Sequence, residues 1–488
     1  MYSFLLSIVA LILGYIFYGA LVDRMFGPDP KRPTPSITKA DGVDFIRMPS
    51  WRVFMVQFLN IAGTGPIFGA IMGAKFGPAS YLWIVFGCIF AGAVHDYMVG
   101  MMSVRNEGVG VPELVGRYMS KATKIAMLVF SLVLLALVGT VFVYSPALIL
   151  GDMAGDGTRG SIMLWVGIIF LYYVIATLLP IDKLIGKIYP VFAVALLFMA
   201  VALMVCLFIK WPSLPEVWDG LTGWQDKAGL KDQPIFPCLF ITIACGAISG
   251  FHATQSPMMA RCIDNEKLGR PIFYGSMITE GLVALIWAAV ASWFFFDGGA
   301  AQVGSDMSAA APTVVTKVSK GWLGLAGGIL AILGVVAAPI TSGDTAFRSA
   351  RLIIADFIHL PQKAIGRRLA IAIPLFAASA LLLWYSIADS NGFNTIWRYF
   401  GWSNQALAAI MLWTATTYLE KEKKGSWYLV TLIPALFMTS VCVTFILVDK
   451  IGFGLPQEYA PWIAGASAIF AIPGFYFWNY RKNRKYVG

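Results

Sequence analysis

The sequence is short of the residues that most often carry chemistry. Its 488 residues include only three histidines and six cysteines, and 13% of them are charged. It has no cysteine pair with CxxC spacing, no HExxH motif and no Walker-type nucleotide loop. These absences argue against a zinc or haem site, a disulfide framework and ATP as energy source. We therefore expect neither an enzyme nor a bound cofactor, and we interpret the cysteines as small buried apolar side chains.

Apolar residues, in contrast, make up 58% of the chain, which excludes an ordinary soluble domain. Apolar runs of about 20 residues, enough to cross about 30 Å of hydrocarbon, recur along the sequence. The first run, Phe4 to Val22, lacks the basic region and cleavage site of a secretory signal, so we expect it to remain as helix 1. The sequence predicts an all-α membrane protein with about 13 transmembrane helices, at 3–22, 50–74, 79–104, 121–150, 161–180, 186–209, 235–257, 270–296, 321–357, 366–388, 401–419, 426–448 and 460–480.

The 36 basic residues are distributed unevenly between the connections of these helices. The segments that follow odd-numbered helices hold about three quarters of them. This bias predicts an N-terminus outside and a C-terminus in the cytoplasm, in a cell or inner membrane. The net charge of +10 is then explained by orientation rather than by nucleic acid, and the basic tail at 481–485 lies near anionic lipid.

The stretch NIAGTGPIFG, Asn60 to Gly69, interrupts helix 2 with glycine and proline. Gly63 and Gly65 bracket Thr64, and Pro66 stands where a new helix would begin and where its missing N–H does no harm. Breaking a helix in lipid frees backbone groups that cost several kcal/mol each if unpaired. The pattern therefore predicts two half-helices separated by a gap that serves a binding site.

A second interruption, ACGAISGFHATQSP, runs from Ala244 to Pro257 in helix 7. Gly246 and Gly250 break the apolar run, and Pro257 is expected to close it. Helices 2 and 7 are five helices apart, so they cross in opposite directions. This layout is typical of a five-plus-five inverted repeat with a site near the bilayer midplane. The alternative is a glycine seam that only lets helices pack closely.

Five stretches now resemble the carbon starvation protein A (CstA) family: NIAGTGPIFGAIMGA, AGAVHD, SGFHATQSP, SGDTAFRSARLI and FGWSNQALAA. The resemblance covers about residues 1 to 450. It implies a fold of the leucine-transporter type within the amino acid/polyamine/organocation superfamily, and uptake of peptides or pyruvate. It also implies four regions, which are 1–49 with helix 1 and a cytoplasmic loop, 50–210 as repeat one, 211–419 as an outer loop and repeat two, and 420–488 with helices 12 and 13 and the basic tail.

The same resemblance implies a possible sodium site between the break of helix 2 and helix 9. It places the backbone carbonyls of Leu59 and Ala62 opposite the carbonyl of Ala338 and the hydroxyls of Thr341 and Ser342. Five neutral oxygens suit a monovalent cation, since magnesium or calcium would require carboxylates. The alternative is that the two hydroxyls simply bond to carbonyls of their own helix.

Ionisable residues at membrane depth are candidates for function. His95 and Asp96 in helix 3 and Glu280 in helix 8 have the chemistry to carry a coupling proton near neutral pH. Proton coupling is thus the rival of sodium coupling. A structural alternative is that the carboxylates pair with basic side chains near the inner face, namely Arg105, Arg261 or Arg348.

The residues of the two breaks are the candidates for substrate contact. His252 belongs to this set because it lies within the second break, and Asn404 and Gln405 at the start of helix 11 are candidates for an outer gate. The candidate substrate-binding residues are Gly63, Thr64, Gly65, Ser249, Gly250 and His252.

These features favour a secondary transporter that takes up a small carboxylate-bearing nutrient by alternating access, driven by a proton or sodium gradient. Two converging half-helix ends would hold the anionic group. The alternative is an ion or solute channel, which would need a continuous polar pore. The expected partners are a small-molecule substrate and the lipid bilayer, with no nucleic acid.

Overall fold

The computed structural model describes residues 1–484 except residues 43, 155–157, 179–180, 363, 390–391 and 423–424. The described residues are helical or irregular, with no β-strand among them. Nine of their helices are long and apolar enough to cross a membrane, and a bent pair in helix 2 adds a tenth. The chain is therefore an all-helical, multi-pass membrane protein.

The crossings keep their predicted order. The end of predicted helix 5 and the last residues of the basic tail lie outside the described residues. From helix 1 to helix 13 the observed bounds are Tyr2–Phe26, Ser50–Ile61 with Gly65–Ala74, Ala79–Arg105, Lys121–Ala154, Arg159–Leu178, Ile181–Lys210, Ile235–Thr242 with Gly250–Ala260, Glu266–Phe296, Ala311–Phe357, Ile365–Ala388, Gly392–Glu422, Ser426–Val448 and Ala460–Arg484.

Three predicted crossings, helices 7, 11 and 13, are helical but are not among the nine or ten that pass the test of length and hydropathy. Helix 7 fails because it is interrupted, and helix 11 carries the buried polar residues Asn404 and Gln405. The number thirteen thus stays a prediction.

Several boundaries differ from the prediction, among them the start of helix 11 at Gly392, nine residues early. Two of the differences have local reasons. Helix 9 begins at Ala311, ten residues early, and kinks at Gly324, whose φ of 67° only glycine adopts readily. Pro257 does not close helix 7 but lies inside the half-helix that ends at Ala260. A proline in the third turn removes one hydrogen bond of the ladder, and neighbouring helices in a membrane protein can compensate for that loss.

The segments that connect the helices contact each other in two groups. Each group contains segments that the charge bias assigns to the same side of the membrane. On one side, Arg105, the last residue of helix 3, contacts Glu266, the first residue of helix 8, at 3.2 Å and donates to the carbonyl of Gly27 after helix 1 at 2.7 Å. On the other, Glu216 after helix 6 accepts the backbone N–H of Tyr2 at 2.9 Å. Segments that the alternation assigns to one side thus meet each other.

The helix contacts also show a symmetry between the two predicted repeats: a contact made by helix 2 has a counterpart made by helix 7. These are called exchanged pairs. The second half of helix 2 packs on helix 8, and the second half of helix 7 packs on helix 3. Helix 6 packs on the first half of helix 2, while helix 11 packs on both halves of helix 7, mostly on the second, so this pair is exchanged only in part. Helices 4 and 9, the third members of the two predicted repeats, pack along each other. This core buries 89% of the apolar window of helix 8 but only 28% of that of helix 1.

Candidate functional site

The first half of helix 2 ends at Ile61, and Ala62 leaves the helical conformation with ψ of 52°. The second half begins at Gly65, and the two halves meet at 53°. Pro66 lies in the first turn of the new half-helix, where no backbone N–H is required. The break predicted from glycine and proline is confirmed, and all its residues are buried.

Helix 7 is interrupted between Thr242 and Gly250. Within the gap Gly246 has φ of +89°, a left-handed conformation that side chains disfavour, and Ser249 is extended at φ −144° and ψ 123°. The second predicted break is therefore also present. Its place follows from the glycines in an otherwise apolar run.

The two breaks touch each other. A Cβ atom added at Gly65 would collide with the side chain of Cys245. A Cβ at Gly69 would lie 3.0 Å from the carbonyl oxygen of Thr242, and one at Gly246 would lie 3.6 Å from Cα of Pro66. A side chain at position 65 would therefore overlap Cys245, and one at position 69 would press on the backbone of the second break.

Helix 9 reaches the first break through Ser342. Its Oγ lies 3.1 Å from the carbonyl oxygens of both Leu59 and Asn60. Thr341 instead donates to carbonyls of its own helix, at 2.8 Å for Ala338. The structure thus brings Ser342 and Leu59 of the expected sodium site together, while Thr341 bonds within its helix as the alternative described.

Two buried polar side chains at the first break have no hydrogen-bond partner in the described part of the chain. They are the amide of Asn60 and the hydroxyl of Thr64, both fully shielded from solvent. An unsatisfied buried polar group costs about 1–3 kcal/mol. A ligand, an ion or an ordered water at the break would each supply the missing partners.

The three ionisable residues predicted to couple a proton form one chain of contacts with His252. His95 Nδ1 lies 2.9 Å from Asp96 Oδ1, and His252 Nδ1 lies 2.9 Å from Asp96 Oδ2. His252 Nε2 then lies 3.4 Å from Glu280 Oε2. The other carboxylate oxygen of Glu280 accepts the N–H of Gly246, in the second break, at 3.1 Å. The chain of four side chains therefore connects helices 3, 7 and 8 to the break.

These contacts bear on two expectations. Both ring nitrogens of His252 face carboxylates, so this residue also belongs to the ionisable cluster, and its contact with substrate stays a prediction. Among the arginines proposed as structural partners, Arg105 pairs with Glu266 and Arg261 pairs with Asp356. Asp96 and Glu280 contact histidine side chains instead.

Helix 11 caps the second half of helix 7. The amide oxygen of Asn404 accepts the N–H of Phe251 at 2.6 Å and the hydroxyl of Ser249 at 3.1 Å. Gln405 donates to the carbonyl of Phe240 at 2.8 Å, before the break. Asn404 thus takes the position at a helix N-terminus where an anionic group would otherwise be favoured.

A cavity of about 260 Å³, here called the vestibule, opens one turn beyond the breaks. Its lining includes Phe68, four residues after Thr64, and Thr242, the last residue before the second break. The rings of Phe68 and Trp397 lie 6.0 Å apart at its wall. The lining does not include the predicted substrate residues, which are closed off in this conformation. Further lining residues are Met72, Lys75, Gln233 and Phe393.

Sequence reasoning missed two residues of this site and gave a third a different place. Cys245 was interpreted as a packing residue, yet it lies within the second break and within 4.8 Å of ligand atoms of His252 and Glu280. Asn60 is the last residue but one of the first half-helix, where an amide in an apolar run was a usable signal. Asn404 was expected at an outer gate, but its contact with the second break depends on the tertiary fold.

The sequence model of the family described as Carbon starvation protein CstA matches residues 1–156, 152–322 and 321–445. A membrane protein of Haemophilus influenzae is 44% identical over 61% of this chain and 92% of its own length. A Campylobacter jejuni protein named peptide transporter CstA is 27% identical over 95% and 82%. An Escherichia coli protein named pyruvate/proton symporter BtsT is 26% identical over 92% and 81%.

Solved structures share the fold. A manganese transporter of Eremococcus coleocola superposes with a TM-score of 0.58 at 13% identity, over 91% of this chain and 99% of the other. A sodium-coupled sialic acid symporter superposes with a TM-score of 0.55 at 14% identity, over 95% and 96%. At such identity the likeness shows the architecture alone.

Proposed function

The chain belongs to the carbon starvation protein CstA family, and from this premise we propose that it is a secondary active transporter. It takes up a small solute that bears a carboxylate, either pyruvate or a short peptide, by alternating access. The names of its relatives, a peptide transporter and a pyruvate/proton symporter, support both solutes.

The exchanged helix pairs support a five-plus-five inverted repeat. When the two repeats are interchanged, the contact of helix 2 with helix 8 becomes the contact of helix 7 with helix 3. The contact of helix 4 with helix 9 becomes itself. Residues 50–210 and 211–419 are then the two repeats, and helices 12 and 13 are additions outside them. Such repeats rock against each other around a central site in secondary transporters.

One observation carries the proposal: two interrupted helices meet at a point where Asn60 and Thr64 present buried polar atoms without partners. A continuous channel does not require such a closed meeting point, whereas a carrier needs a site that opens to one side at a time. The vestibule, one turn away, is the route by which the solute arrives.

The substrate carboxylate binds where the half-helices begin, beside Gly63 to Gly65 and Ser249 to Gly250. Lys75 in the vestibule lining attracts an anion toward this point. The amide oxygen of Asn404 accepts the hydrogen bond from the N–H of Phe251. A substrate carboxylate that reaches the second half-helix therefore displaces this oxygen. This exchange gives Asn404 a gating role at the second break, which differs from the outer gate expected from the sequence.

The coupling cation is a proton or sodium. For sodium, Ser342 Oγ already lies 3.1 Å from two carbonyl oxygens of the first break, which are ligands that a monovalent cation accepts. For a proton, the chain from His95 through Asp96 to Glu280 offers a buried relay, and a relative carries the name of a proton symporter. The candidate sodium site thus lies at the first break, and the candidate proton relay lies at the second break.

The charge bias places the N-terminus outside and the C-terminus in the cytoplasm of a cell or inner membrane. The side with Lys75 and the vestibule then faces outward. This orientation suits uptake, because the open cavity faces the nutrient.

The deciding experiment is uptake by the full-length chain in proteoliposomes. Labelled pyruvate and a labelled dipeptide are supplied under an imposed proton or sodium gradient. Saturable accumulation above the outside concentration under one gradient supports the proposal and identifies solute and ion together. Flux that only equilibrates the solute and rises linearly with concentration would establish a channel instead.

A further inference from the structure

We infer that Cys245, His252 and Glu280 form a binding site for a transition-metal ion of the zinc type, at the break of helix 7. This site goes beyond the proposed transport activity. Ligand atoms of all three residues lie within 4.8 Å of one another, and each side chain is at most 1% exposed. A thiol, an imidazole and a carboxylate are the donors that zinc prefers.

Two of the ligand atoms, Nε2 of His252 and Oε2 of Glu280, face each other and, in the described part of the chain, have no third group as a hydrogen-bond partner. Neither Nε2 of His252 nor Oε2 of Glu280 makes a hydrogen bond within the described residues, although both are fully buried. They lie 3.4 Å apart. Two ligands at tetrahedral zinc, with bonds of about 2.0–2.3 Å, are separated by roughly 3.3–3.7 Å. This pair therefore stands at the spacing of an edge of a zinc tetrahedron before any metal is placed.

Outer contacts hold both ligands in this orientation. Asp96 bonds the other ring nitrogen of His252 at 2.9 Å, and the N–H of Gly246 bonds the other oxygen of Glu280 at 3.1 Å. A carboxylate behind a metal-bound histidine is the common outer arrangement of zinc sites. His95 in turn fixes Asp96 from its far side at 2.9 Å.

Charge also favours a divalent ion here. The thiolate of Cys245 and the carboxylate of Glu280 together balance two positive charges, so the occupied first shell is neutral. A neutral cluster costs less to bury at membrane depth than separate charges. Three protein ligands leave a fourth position for water or for the carboxylate of a solute.

The inference is separable from the transport proposal. A metal on Nε2 of His252 excludes a proton from the same atom, so zinc and proton coupling through Glu280 compete for one site. Binding of zinc can be measured on purified protein without any transport assay. Absent transport leaves the metal site standing, and absent metal binding leaves transport standing.

The test uses the full-length chain purified in detergent, stripped with chelator and titrated with zinc in competition with a chromophoric chelator. We expect one tight site per chain. Cobalt at the same site should show a thiolate charge-transfer band and tetrahedral d–d absorption. Cys245→Ser and Glu280→Gln should abolish the tight site, and Asp96→Asn should weaken it about 10- to 100-fold, as outer-shell changes do.

Cys442→Ser is the matched control, since Cys442 is also buried but lies in helix 12, away from the cluster. It should bind zinc as the wild type does. Each variant is checked for a monodisperse elution profile and its thermal midpoint, so that loss of folding is recognised. Absence of stoichiometric zinc on the wild type, or equal affinity in Cys245→Ser, would overturn the inference.

Discussion

The contact between the two breaks allows a sharp test at Gly65. A methyl group at this position would overlap the side chain of Cys245, which is itself buried. A Cβ at Gly65 would lie 2.3 Å from Sγ of Cys245, so Gly65→Ala forces the two breaks apart by about 1 Å, and Gly65→Leu by more. The membrane-spanning helices themselves are not interrupted further, so insertion should be preserved.

The size of the effect follows from overpacking. Adding carbon atoms to a well-packed interior costs about 1–3 kcal/mol. If the closed conformation bears this cost and an open one does not, the equilibrium between them shifts by about 5- to 150-fold. We expect Gly65→Ala to lower the rate of uptake by about this factor, and Gly65→Leu to abolish uptake.

The assay is initial uptake into proteoliposomes at equal protein density. Gly167→Ala is the matched control, because Gly167 is also a helical glycine but a Cβ there meets no atom within 4 Å. Elution from a sizing column checks that each variant is folded. Gly65→Leu with normal uptake would show that the breaks need not approach each other, and the proposed site would be wrong.

Three further outcomes are expected. Ser342→Ala should raise the sodium concentration needed for half-maximal uptake if sodium is the coupling ion, measured in uptake at fixed solute; unchanged sodium dependence would remove Ser342 from the site. Asp96→Asn and His95→Ala should flatten the pH dependence of uptake if protons couple, and a pH profile identical to wild type would exclude this relay. Glu216→Gln should lower the free energy of unfolding by about 1 kcal/mol, read as a lower thermal midpoint at neutral pH, because the carboxylate caps the first turn of helix 1. Burial raises the pKa of Glu216, but hydrogen bonds from the N-terminal ammonium and the first-turn N–H groups outweigh it and hold the pKa below its usual value. This stability is thus present above about pH 4.3 and lost as the pH falls through the lowered pKa, so the difference between wild type and Glu216→Gln should vanish in acid.

Local sequence was sufficient for the order of the helices and for both breaks. A run of apolar residues that is long enough to cross the bilayer indicates a transmembrane helix, and glycine and proline indicate where a helix ends or breaks. Gly65, Pro66 and Gly246 therefore mark their breaks without help from the rest of the chain. The helix boundaries were less certain, as Ala311 and Pro257 show, because packing decides how far a helix extends.

Only the tertiary structure decided which side chains share a site. His252 meets Asp96 across 156 residues, and Asn404 caps Phe251 across 153. No local pattern encodes such pairs, since any of several buried polar groups was free to supply the partner. The sequence alone therefore determined a membrane chain with two interrupted crossings. The packing of those crossings against helices 3, 8, 9 and 11 selected the partners, because a buried polar atom must bond to whatever the fold brings within reach.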